Sequence, residues 1–257
     1  MSRWRTGAWI GFGLVAYVVF LAAGLPATVV WDQLQRHVVL PAELHVGGLR
    51  GTIWQGEAEH VGAYGFYAER VSWQLSPSGL LSHGGLEVEL AAALPDGFAE
   101  GRLQLTPRQV NIVELQGRLP AAPWGSPITE WVSQEVALGG DFAFFVPHWE
   151  LGYDGRLIAG EGRLAWHDAA VAVDHRVALG GLSSTVEVAA GGVVGTLSDT
   201  GGPLVLTGEW QLSAQGEYTL DALADTREGA AESLTRTLGM LGPRGEEGVR
   251  LGFEGRL

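Results

Sequence analysis

The sequence predicts a mainly β protein: an N-terminal single transmembrane helix, then a large curled or folded antiparallel β-sheet domain with two short helices. Three observations predict it. Thr6 to Leu25, TGAWIGFGLVAYVVFLAAGL, carries no charged residue, and a helix of this length, rising about 1.5 Å per residue, crosses a hydrocarbon core of roughly 30 Å. From Leu44 onward the apolar residues recur with a period of two, as in strands with one buried face. The chain also contains 39 Gly and 10 Trp, a composition suited to short strands joined by tight turns.

The N-terminal segment has two readings, anchor or cleavable signal. Basic residues (Arg3, Arg5) precede the apolar run in either case. Signals usually have an apolar run of about 7–15 residues and an A-x-A-like site. This run is longer, and Ala22, Ala23 and Gly24 offer only a loose imitation of that site. Leucine, isoleucine, valine and phenylalanine together contribute roughly −4 kcal/mol towards insertion, so an uncleaved anchor is expected. Ile10, Phe12, Leu14, Val18 and Phe20 form its apolar body. Arg3 and Arg5 would keep residues 1–5 in the cytoplasm. The rest of the chain would lie across the inner membrane, in the periplasm. Gly7 and Gly11 form a G-x-x-x-G pair, but glycine is common in membrane helices and the spacing by itself is weak.

Residues 26–42 read as a stalk. Pro26 suits a first helical turn, Val29, Val30 and Leu34 share one helical face, and Pro41 ends the segment. The β-rich domain then covers 43–257. Glycines divide 44–58 into short extended pieces. Strands are expected at Phe66–Leu75, over Leu86, Val88 and Leu90, at 102–105 and at Val110–Leu119. Pro120, Pro123 and Pro127 interrupt the pattern, and Ser126 with Pro127 predicts a short helix over Pro127–Val136. More strands follow at Asp141–Trp149, Gly155–Trp166, Ala169–Ala178, Ser183–Ala190, Leu204–Leu212 and Glu217–Leu220. A helix is expected over Thr226–Met240 and a closing strand over Val249–Leu257. The order permits two similar halves, 43–138 and 139–257, or one continuous sheet.

Net charge is −13, every basic side chain is arginine, and there is no cysteine. An acidic domain without a basic patch is a poor nucleic-acid binder. Cysteine nucleophiles are excluded outright. No G-x-S-x-G, phosphate loop, G-x-G-x-x-G or H-E-x-x-H occurs. His167 and Asp168 could face Asp174 and His175 across a hairpin as metal ligands, but polar residues bounding a strand explain them more simply. Glu87 and Glu89 share a strand face and read as a wetted surface rather than an acid/base pair. Trp54, Trp73, Trp131, Trp149, Trp166 and Trp210 could line a cleft, with burial in a core the default expectation. No catalytic residue, metal site or cofactor is expected, and the chain reads as a non-enzyme.

The stretch Leu49-Arg50-Gly51-Thr52-Ile53-Trp54-Gln55-Gly56-Glu57-Ala58 resembles the signature of the type II secretion system protein N family: Gly-Thr-hydrophobic-Trp-x-Gly, here Gly51, Thr52, Trp54 and Gly56. The anchor, the proline just beyond it, Val71-Ser72-Trp73 and the closing Gly255-Arg256-Leu257 agree in layout. The resemblance implies a non-enzymatic inner-membrane accessory component of the type II secretion system. It would support export across the outer membrane by periplasmic contacts with other secretion components. The sequence is also similar in style to AsmA-type envelope proteins, whose β-grooves handle lipid; that is the alternative, with a lipid ligand.

Overall fold

The computed structural model describes residues 17, 20–21, 23–37, 44–63, 66–77, 79, 84–125, 135–173, 175–189, 192–245 and 247–256. Its central element is one antiparallel sheet of 13 strands in strict sequence order. The first six strands are β1 (His45–Gly51), β2 (Gln55–Ala63), β3 (Phe66–Ser76), β4 (Leu86–Leu94), β5 (Gly97–Leu105) and β6 (Gln109–Pro120). Then follow β7 (Ala137–Gly152), β8 (Leu157–Ala172), β9 (Arg176–Ala189), β10 (Gly192–Gly201), β11 (Leu204–Ser213), β12 (Glu217–Thr226) and β13 (Val249–Arg256). Each strand pairs only with its sequence neighbours, so the sheet is open, with β1 and β13 at its edges. It runs without a break through both of the stretches that could have been separate halves, and the boundary at 138/139 falls inside β7.

Directly opposed residues of antiparallel strands share a face, so the register identifies the two faces. One row of opposed residues runs Ala58, Val71, Ala92, Ala99, Gly117, Phe144 across β2 to β7. It continues Leu164, Ser184, Leu197, Gly208, Ala222, Leu251 to β13. The row one residue away begins Glu57, Ser72, Ala91, Glu100, Gln116. It ends Thr185, Thr196, Glu209, Asp221. The sheet therefore has one apolar face and one polar face along its whole width, which is what strict alternation encodes. Ion pairs such as Arg118–Asp141 at 2.6 Å decorate the polar face; being exposed, each contributes about 1 kcal/mol at most.

Many glycines of the apolar face lie beneath an aromatic ring from the adjacent strand. A Cβ on Gly56 would come within 2.3 Å of Trp73, one on Gly117 within 2.6 Å of Phe144, and one on Gly160 within 2.0 Å of Trp149. Gly195 under Trp210 and Gly255 under Tyr218 repeat the arrangement. The rings cover backbone that a side chain would otherwise shield. This corrects the expectation of tryptophans in a closed core: Trp54, Trp73, Trp149, Trp166 and Trp210 are all half-buried, because a single sheet has no second layer to enclose them. Trp131 lies outside the described residues.

The compact core is local. Helix α2 (Glu232–Leu241) places Leu234 and Leu238 on Val177, Leu204, Ala224 and Val249. The helix is shorter than the 226–240 expected, because β12 extends to Thr226 and 227–231 form the turn. Beside it, Asp199 ties the β10–β11 turn: its carboxylate accepts from the Gly201 and Leu206 amides at 3.2 Å each and from Arg227. Arg227 also donates to Gly202 O and Leu204 O, at 2.7 and 3.0 Å. Burial raises the Asp199 pKa, but these donors outweigh it and hold the carboxyl below its ordinary value. A depressed carboxyl stabilises the fold above the unfolded pKa, about 3.9, and loses that contribution as pH falls through the folded value. Asp199→Asn is accordingly expected to lower stability at neutral pH and to lose part of the acid dependence below about pH 4, as followed by circular dichroism. An unchanged acid-unfolding curve would contradict this.

The helix predicted over Pro127–Val136 lies almost wholly outside the described residues; Glu135 and Val136 are not helical, and a short 3-10 turn occupies Ala122–Trp124. Helix α1 (Ala27–His37) occurs where the stalk was expected, but it buries only Ala27. Val29, Val30 and Leu34 are exposed.

Of the anchor residues, Ile10, Phe12, Leu14 and Val18 lie outside the described set. Tyr17, Phe20, Leu21 and Ala23 are helical, and Phe20 is 75% exposed. No helix among the described residues is long and apolar enough to cross a membrane, so they give no support to a spanning helix over 6–25.

Candidate functional site

The Gly51–Gly56 motif forms the turn from β1 to β2 and fastens the N-terminal segment to the sheet. The Thr52 hydroxyl accepts from the amides of Trp54 and Gln55, each at 3.2 Å, while the Thr52 amide donates to Gln55 O at 2.8 Å. This is a threonine-closed turn, with the side chain supplying the acceptor that the backbone lacks. Gly51 has φ +90, and a Cβ there would sit 2.4 Å from Gln55 O; the sharp turn requires glycine. Gly56 leaves room for Trp73, whose indole N–H donates to Thr52 O at 3.2 Å. Leu75 N donates to Trp54 O at 2.6 Å.

The same turn reaches backwards along the chain. Ile53 N donates to Leu25 O at 3.0 Å, and Pro26 forms a bridge with Thr52. The last residue of the apolar stretch is thus hydrogen-bonded to the β1–β2 turn, and the first of the stalk lies opposite Thr52. Helix α1, about 16 Å long, starts beside this turn and touches β1, with Ala27 its one buried residue. The contribution of Leu25 and Pro26 was not legible in the sequence, since no local pattern couples them to residues 52–53.

The other candidate residues are not assembled into a site. His167 and Asp168 lie inside β8, whose neighbouring residues Trp166 and Ala169 pair with Leu182 and Gly180 of β9. His175 sits beyond the end of β8, so the hairpin does not oppose it to His167; Asp174 is outside the described residues. Among the described residues, no group of three or more His, Cys, Asp or Glu is placed to hold a metal ion. Glu87 and Glu89 oppose Gln104 and Arg102 on the polar face, with Glu87 3.8 Å from Arg102. Elsewhere on the sheet, Glu150 accepts from His148 and Gln109 at 3.0 and 3.1 Å, and these hydrogen bonds, that of His148 foremost, lower its pKa.

Two hollows mark the faces. On the polar face, one of about 800 Å³ runs over β2 to β7 and is bordered by Glu57, Glu89, Glu100, Arg102 and Glu114. On the apolar face, one of about 460 Å³ is bordered by Leu197, Trp210, Leu212, Tyr218, Leu220 and Phe253.

Fold and junction together define a class: a large open-sheet β protein whose sequence signature builds the joint between sheet and N-terminal segment. The family model for type II secretion system (T2SS), protein N matches residues 42–251, and the chain belongs to that family. It is similar to the type II secretion system protein N of Pectobacterium carotovorum subsp. carotovorum, at 24% identity over 260 residues covering 98% of each chain. No solved structure matches it significantly.

Proposed function

We propose that this protein is a non-enzymatic inner-membrane accessory component of the type II secretion system, anchored by residues 6–25. Its sheet domain would lie in the periplasm and act through contacts with other secretion components. Family membership supports the secretion context. The observation that carries the anchoring is the Thr52 turn, which grips Leu25 and Pro26 directly after the charge-free stretch. A joint there transmits position from the segment to the sheet.

The test is export. Deleting the gene should leave exoproteins in the periplasm, and the full chain should restore release. A chain with 6–25 replaced by a cleavable leader should restore little. Normal export after deletion would sink the secretion reading; full rescue by the leader version would sink the anchoring.

The apolar hollow favours a second reading, a lipid-handling face. Its lining is almost wholly apolar, and among the described residues no helix lines it. A photo-crosslinker at Leu220 should then capture lipid, whereas one at Asp221, on the opposite face, should not. Equal labelling at both positions would count against it.

A further inference from the structure

A strand edge left bare invites pairing with another chain, and folds usually blunt it. β1 is blunted: its register with β2 shifts twice, and α1 touches it. Half of β13 is blunted as well. Gly245 N donates to Gly248 O at 2.8 Å, Arg244 forms a bridge with Val249, and a Cβ on Gly242 would sit 3.5 Å from Arg250 O. Residues 242–245 thus run along the outer side of β13 as far as Arg250. Beyond that point the edge is bare. Gly252, Phe253 and Glu254 are all exposed, no register shift interrupts the pairing of β13 with β12, and among the described residues no strand pairs with the outer side of Leu251–Arg256. This bare half is roughly 20 Å long. We infer that it accepts an extended segment of another chain of the secretion system as an added strand, apolar where it faces Phe253 and basic where it faces Glu254. The choice of a secretion chain rests on the function proposed above.

Backbone direction and side-chain chemistry both define the incoming strand. Gly248 O points away from β12, towards Gly245. Alternate residues of an antiparallel strand turn their N–H and C=O to the same side, so those of Gly252, Glu254 and Arg256 also point outward and are free to pair. On the apolar face, Phe253 is 49% exposed and borders the hollow shared with Leu220 and Tyr218; an apolar side chain opposite it would extend that surface across the new strand. On the polar face, Asp221 holds Arg250, with Nε 2.9 Å from Oδ1, and Arg256 stands opposite Glu217. Glu254 stands opposite Thr219 and has no ion pair among the described residues, so it is the charge left for an incoming basic side chain. A second copy of β13 fits poorly. Aligned antiparallel on the whole bare half, it sets Glu254 against its own counterpart, and like charges directly opposed are destabilising. Sliding the copy inward drives its Arg256 onto residues 242–245, and sliding it outward leaves only Glu254–Arg256 paired.

The probe is a short fluorescein-labelled peptide that alternates valine with threonine and carries lysine at its central polar position, so that it fits in either direction. The full chain in detergent should bind it, as read by anisotropy, and should bind a version with glutamate in place of the lysine about tenfold more weakly. Glu254→Lys should reverse that preference. Glu254→Pro removes an outward N–H while leaving the hydrogen bonds to β12 in place, and should weaken binding of the lysine peptide about tenfold with the urea midpoint unchanged. No binding by the wild-type chain, or binding indifferent to both substitutions, would overturn the inference. So would a concentration-dependent dimer that Glu254→Pro dissolves, since the occupant would then be a second copy. In the export assay above, Glu254→Pro should restore little release. Full release would rule out a secretion chain as the occupant, whereas normal export after deletion would overturn the secretion reading itself, with peptide binding unaffected.

Discussion

Alanine at Gly51 is expected to destabilise the β1–β2 corner by about 2–4 kcal/mol, the sum of left-handed backbone strain and a forced contact. The strain follows from φ +90, and the contact from a Cβ placed 2.4 Å from Gln55 O and 2.7 Å from Gly56 Cα. Neither atom is a flexible side-chain end, so the turn itself must open. Opening it removes the Thr52 hydroxyl from the Trp54 and Gln55 amides and weakens the grip on Leu25. Thr52→Val separates the two effects: it keeps the shape, leaves two amides without their acceptor, and should cost about 1–3 kcal/mol. Thr52→Ser should cost little. Urea unfolding of the full chain in detergent measures all three. If Gly51→Ala matched wild type within about 0.5 kcal/mol, the corner would not be the strained joint described above.

Leu234→Ala is expected to cost about 2–5 kcal/mol, the range for emptying a buried leucine site. Leu234 is 1% exposed and is the largest fully buried side chain among the described residues. It is the main apolar bond between α2 and the sheet, and no second layer stands ready to collapse into the space. The loss should fall on the β9, β11, β12 and β13 end of the sheet, where its neighbours lie. Hydrogen exchange should therefore accelerate there before it does in β2–β5. Met240→Ala, on the same helix but 77% exposed, should stay within about 0.5 kcal/mol of wild type. Equal effects of the two substitutions would mean that α2 is not packed through Leu234.

The sequence reading and the structure agree over β3, β4 and β6, whereas Ala169–Ala178, expected as one strand, contains the β8–β9 turn, and β10 was not expected. Leu86, Val88 and Leu90 against Glu87 and Glu89 identified a half-wet strand, and β4 is that strand. The expected Phe66–Leu75 differs from β3 by one residue at its end, and Val110–Leu119 from β6 by one residue at each end. Agreement fails where polar residues occur within a strand. His167 and Asp168 looked like a strand end, yet β8 runs through them by means of a bulge, with Asp168 at φ 50. Thr226 looked like a helix start, yet it pairs with Leu204. Propensity within a short window is overruled when a neighbouring strand supplies the hydrogen bonds.

Of the candidate site, Gly51, Thr52, Trp54 and Gly56 were legible as a motif, because a sharp turn constrains residue types locally. What the motif holds was not legible. By itself, the sequence determined the β class, the alternation that makes one face apolar and the other polar, and the absence of any familiar catalytic motif. Only the tertiary structure decided that 13 strands share one open sheet and that Thr52 meets Leu25 and Pro26. The physical reason is range: side-chain alternation is fixed within a few residues, whereas strand order, register and the joint at Thr52 depend on hydrogen bonds between residues far apart in the chain.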